Sequence, residues 1–157
     1  MANKLGLKPL TVAAIGAGLL AVGSLSTQPA EAASLDVGTH NTIFSNFTRG
    51  YWFTAPVDFT ITGLRAALES GPVEDQSIEV LKLNAPPPIS PSVTNNFVSL
   101  GYWNNVSGSG FISTNIAVQS GDIIGVLGSR GPGASNSYPP FTGLFTSSFF
   151  GSPVTFS

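Results

Sequence analysis

The sequence predicts an all-β protein: an antiparallel β-sandwich of jelly-roll type with about eight or nine strands, preceded by a signal peptide. Three observations lead there. Beyond residue 32, no long stretch repeats its apolar residues every 3.6 positions, and Gly and Pro interrupt the chain too often for helices. Short runs of β-branched and aromatic residues, bounded by turn residues, recur instead. Only 9% of the chain is charged, while Gly, Ser, Thr and Asn abound, which suits β-turns and solvated strand faces.

The first 32 residues read as the export signal. Lys4 and Lys8 form a basic start, Leu10 to Leu25 is an uncharged run rich in Leu, Ala, Val and Gly, and Ala30-Glu31-Ala32 has the small-x-small pattern of a cleavage site. The run is short and diluted by Gly and Ser. A membrane-spanning helix needs roughly 18 or more strongly apolar residues, so cleavage after Ala32 and no membrane span in the mature protein are expected. Residues 33–157 then form one β-sandwich domain, secreted to the cell exterior or the periplasm.

Strands are expected in order at Thr42–Phe47, Tyr51–Thr54, Phe59–Leu68, Ser77–Leu83, Asn96–Trp103, Gly110–Val118, Ile123–Leu127 and Thr142–Phe149, with a short last one at Val154–Phe156. Phe59 and Ile61 alternate with Thr60 and Thr62, as in a half-buried strand. After Gly63 the apolar phase moves to Leu64, Ala66 and Leu68, and a bulge at Gly63 accounts for the move. Asn84–Ser92 holds four prolines and cannot pair in a sheet, so it reads as a surface crossover between sheets. Ser120-Gly121-Asp122 reads as a tight turn. Arg130–Pro140, rich in Gly, Ser and Pro, reads as a long mobile loop.

Charge and composition exclude several functions. Residues 33–157 carry four strong cations (Arg49, Arg65, Lys82, Arg130) against seven acids, a formal charge of −3. Four scattered cations cannot neutralise a phosphate backbone, so nucleic acid is not an expected partner. Without cysteine there is no disulfide, thiolate metal site or thiol nucleophile.

The segments TRGYWFTAPVDFTITGLR (Thr48–Arg65), DQSIEVLKLNAPPP (Asp75–Pro88), FVSLGYW (Phe97–Trp103) and GDIIGVLGSRG (Gly121–Gly131), with Asn136-Ser137-Tyr138 following, resemble a group of exported bacterial proteins of unknown function. The resemblance implies a β-sandwich, often followed by a sorting tail of the PEP-CTERM kind. This sequence shows no Pro-Glu-Pro motif before Ser157, so anchoring by that tail is not expected. The group has no assigned activity, and the resemblance implies no functional residues.

No catalytic residues are assigned. His40, the single histidine, falls in a segment expected to fray, and no GxSxG elbow accompanies it. Asp58 and Asp122 sit where turns favour Asp, and Glu79 alternates toward water. A polysaccharide hydrolase using paired carboxylates is the catalytic alternative. Glu69, Glu74 and Asp75 crowd one loop. Three carboxylates with nearby carbonyls suit calcium, the metal this chain would take; otherwise they form a solvated acidic loop. The aromatics are the stronger lead. On Asn96–Trp103, alternation puts Val98, Leu100 and Tyr102 on the buried face and Ser99, Gly101 and Trp103 on the wet face. Trp103 then stacks on a sugar, with Asn104 and Asn105 bonding its hydroxyls and Trp52 and Tyr138 as further candidate ligand-binding residues. The competing reading packs Trp103 over a glycine in a neighbouring strand. The expected function is a secreted or cell-surface binding or structural module whose partner is a glycan or another surface protein. A subunit of an extracellular assembly, joined through an edge strand, is the other structural reading.

Overall fold

Ten strands and no helix account for the regular structure of the residues described by the computed structural model, which are 33–35, 37, 40, 42–46, 48–67, 74–89, 91–138 and 144–157. The expected signal segment and Glu69 lie outside them. The strands are β1 Thr42–Phe44, β2 Arg49–Thr54, β3 Phe59–Leu64, β4 Gln76–Leu83, β5 Phe97–Val106, β6 Ile112–Val118, β7 Ile123–Arg130, β8 Asn136–Tyr138, β9 Phe145–Phe149 and β10 Ser152–Phe156.

Every pairing is antiparallel. One sheet has the order β2-β7-β4-β5, and β3-β6, β9-β10 and β1-β8 form two-stranded sheets. The four-stranded sheet is extended at β2, where Trp52 and Ser157 exchange backbone hydrogen bonds of 3.0 and 3.1 Å. β4 and β7 occupy the centre, and no residue of either strand is exposed. Phe53, Val80 and Ile124 from this sheet meet Ile116 and Val118 from β6 and Phe149, Val154 and Phe156 from β9-β10 in one core. Aromatic rings join the layers there: Phe59 lies edge-on to Phe149 at 4.8 Å between centroids, and Phe53 to Phe156 at 5.5 Å. Edge-to-face geometry of this kind adds to area burial.

Several expectations are corrected. Arg130–Pro140 is not a loop throughout: Asn136–Tyr138 forms β8, paired with Thr42–Phe44. Its composition hides the strand, whose partner lies more than ninety residues away. Asn84–Ser92 is not a crossover between sheets. It lies between β4 and β5, neighbours in one sheet, and Asn84 closes its base by donating to the Asn96 carbonyl at 3.2 Å. Changes of sheet fall at other connections, one of them the four-residue turn between β6 and β7. There the Asp122 amide donates to the Gln119 carbonyl at 3.0 Å, and the Asp122 carboxylate accepts from the Gln119 amide at 3.1 Å.

The phase change after Gly63 does occur: Leu64 and Ala66 are half-buried and Arg65 is exposed. The extra residue, however, belongs to the partner strand. Between the pairs Ile61↔Ile116 and Gly63↔Ser113, β3 advances two residues and β6 three. Apolar phase on one strand reports that a register break exists, not which strand carries it.

Candidate functional site

Three clusters hold the chemistry-bearing residues. The first surrounds β5, where the expected alternation fails. Val80 pairs with Gly101 but Leu81 pairs with Ser99, so Leu100 is an inserted residue; a second break separates Ile78↔Trp103 from Gln76↔Val106. The insertion reverses side-chain parity between the two halves of the strand. Val98 and Tyr102, assigned to the buried row, are 57% and 62% exposed. Trp103, assigned to the wet face, is half-buried against the core. Its indole covers Gly101, where an added Cβ would come within 2.4 Å of the ring. Trp103 thus packs over a glycine two residues back on its own strand, not over one in a neighbouring strand as the competing reading has it.

Asn104 and Asn105 serve the second break. The Ser77 hydroxyl donates to Asn104 Oδ1 at 3.0 Å and accepts from the Asn105 amide at 3.0 Å. Asn105 takes the left-handed conformation with φ of 51°, which Asn tolerates better than most residues. Tyr138 contributes backbone to β8 opposite Thr42; its side chain lies outside the description.

The register assembles a different face. Tyr51 and Phe53 pack on the core, so Trp52 points to the opposite side of the sheet. Val80 and Val126 likewise face the core, which turns Glu79, Leu81 and Leu127 to the side of Trp52. Tyr102 stands directly opposite Glu79, and Glu79 opposite Leu127; Leu81 stands opposite Ser99 and Gly125, and Gly125 opposite Trp52. Trp52 and Tyr102 thus flank one face of the four-stranded sheet. The three strand spacings from β2 to β5 set them roughly 14 Å apart laterally. Glu79 is half-buried rather than turned freely to water.

The second cluster is the acidic loop. Arg130 is 5% exposed and donates through Nε to the Ala67 carbonyl at 3.0 Å, through Nη1 to that of Glu74 at 3.2 Å, and through Nη2 to that of Ala66. Gln76, 1% exposed, accepts from the Ala66 amide at 2.9 Å and donates to the Gly110 carbonyl at 2.7 Å. Charge-assisted bonds to carbonyls are what makes a buried guanidinium tolerable. The Glu74 carboxylate lies over Gly131, whose φ of 63° and lack of Cβ both accommodate it. Of the acidic loop's carbonyls, that of Glu74 is thus bonded to Arg130. Among the described residues no three His, Asp or Glu side chains converge as a metal set.

The third cluster corrects the reading of His40. It is 4% exposed, with Nδ1 3.2 Å from the Ser137 hydroxyl and Nε2 3.3 Å from the Tyr51 hydroxyl. The β1-β8 pairing brings Ser137 to it. No local signal announces such a site, because its second partner lies 97 residues away.

Asp58 and Asp122 hold turns, as expected from the sequence. Asp58 accepts from the Ser120 amide at 2.7 Å. Asp122 lies 2.7 Å from the Lys82 ammonium. The hydrogen bond from Lys82, with a smaller contribution from the Gln119 amide, holds its carboxyl below the ordinary value. No helix among the described residues is long and apolar enough to cross a membrane. Comparison with protein-family models, curated proteins and solved structures finds no match for the chain.

Proposed function

We propose that this protein is an exported binding module with residues 1–32 as its signal peptide, a β-sandwich of jelly-roll type akin to the bacterial group it resembles, and a glycan as its ligand. The observation that supports this is the placement of Trp52 and Tyr102 on one face of the four-stranded sheet, at opposite sides of it. Aromatic rings offer apolar faces against which the apolar face of a sugar ring can lie, and Ser99 and Glu79 on the same face supply hydrogen-bonding groups. Trp103 is not part of this surface, since its indole is spent on Gly101 and the core.

A glycan array probed with the purified protein tests the reading. Wild type retains a defined set of glycans; Trp52→Ala and Tyr102→Ala each lose most of that retention while remaining folded. Retention by both variants at the wild-type level, or none by wild type, rejects the assignment.

A further inference from the structure

We propose that the Trp52–Tyr102 face takes a glycan bearing protonated amino groups, with the Glu79 carboxylate as the counter-charge. This rests on the glycan-binding reading above and names the chemical class of its ligand.

The first support is the state of Glu79. The residue is half-buried and stands between Tyr102 and Leu127 in the cross-strand row. No hydrogen-bond donor or cation among the described residues engages it. A carboxylate without a partner, beside an aromatic ring, is available to a cationic group of a ligand through a charge-assisted hydrogen bond.

The second support is the disposition of the cations. All four of residues 33–157 are engaged elsewhere. Arg130 is bonded to carbonyls, Lys82 pairs with Asp122, the Arg49 guanidinium lies 3.5 Å over the Phe44 ring, and that of Arg65 lies 5.0 Å from the Phe111 ring centre. Neither Trp52, Leu81, Leu127, Gly125, Ser99 nor Tyr102 brings a positive charge to the face. An anionic glycan finds no counter-charge there, whereas a cationic one meets a single carboxylate and no repulsion.

The third support is the rings themselves. The negative face of an aromatic ring attracts cations, Trp most strongly. Tyr102, directly opposite Glu79, favours an amine over an acetamide at the same position of a sugar. The formal charge of −3 over residues 33–157 adds long-range attraction of the same sign.

Titration calorimetry of the full chain with a β-1,4-linked glucosamine oligosaccharide and with its fully N-acetylated counterpart decides the matter. Wild type binds the amine form about tenfold more tightly or better, the advantage of a charge-assisted contact over a neutral one. Added salt narrows the gap. Glu79→Gln brings the two affinities together, and Glu79→Asp, which keeps the charge, retains the preference. Thermal melts of both variants confirm that they are folded. Equal affinity of wild type for the two oligosaccharides, or an undiminished preference in a folded Glu79→Gln, overturns the inference while leaving a glycan-binding face intact. Failure of wild type to bind these or any arrayed glycan overturns both.

Discussion

β4 and β5 lie side by side in one sheet, yet they follow different rules. β4 runs from Gln76 to Leu83 without an inserted residue, and none of its residues is exposed. It is held by β7 on one flank and β5 on the other. β5 has one paired flank, two register breaks and a burial pattern that changes phase midway. A central strand is constrained by two ladders, so an inserted residue would disturb both. An edge strand absorbs an insertion on its free side, and bulges there also blunt the edge against pairing with another chain. The same contrast separates structure from binding: β4 supplies the core, and β5 supplies the exposed Tyr102.

The largest expected effect that tests this contrast is on β4. Ile78→Ala, at a buried position of the central strand, should cost about 2–5 kcal/mol in chemical denaturation, the usual range for such a truncation in a core. A cost near zero would mean that β4 is not the centre of the sheet.

The next effect sharpens the parity of β5. Trp103→Ala removes an indole packed on Gly101 and the core and should cost about 2–3 kcal/mol, less than for a fully buried ring because Trp103 is half-exposed. Its neighbour Tyr102, pointing outward, should tolerate Ala within about 0.5 kcal/mol. Reversal of that order in thermal or denaturant melts would restore strict alternation from Val98 to Trp103 and remove the insertion at Leu100.

The smallest effect is electrostatic and lies where β4 ends. Lys82 lowers the folded-state pKa of Asp122. The pair therefore contributes stability above the ordinary carboxylate range and loses it as pH falls through the folded-state value. Lys82 is substantially exposed, so Lys82→Met should cost under about 1 kcal/mol at neutral pH. The difference from wild type should vanish in acid. A difference that persists unchanged well below pH 4, the region of the unbound carboxylate, would assign the effect to packing of the Lys82 stem instead.

Sequence patterning alone carries the all-β class, nine of the ten strand positions and the turn at Ser120–Asp122. These depend on local chemistry: alternation, β-branched and aromatic content, and residues suited to tight turns. The polar ends of β4 and β7 were less legible. Gln76 and Arg130 are buried because distant carbonyls and amides satisfy them, and residue type by itself assigns them to the surface.

Tertiary structure decided the rest. β8 exists because Asn136–Tyr138 meets β1, and His40 is buried because that pairing carries Ser137 to it. The candidate face follows the same logic. Tyr102 in place of Trp103 turns on one inserted residue, Leu100. Its partnership with Trp52 turns on a strand order that puts β7 and β4 between them. A period of two fixes which neighbours share a face only while the register is unbroken, and the register belongs to pairs of strands that lie far apart in the chain.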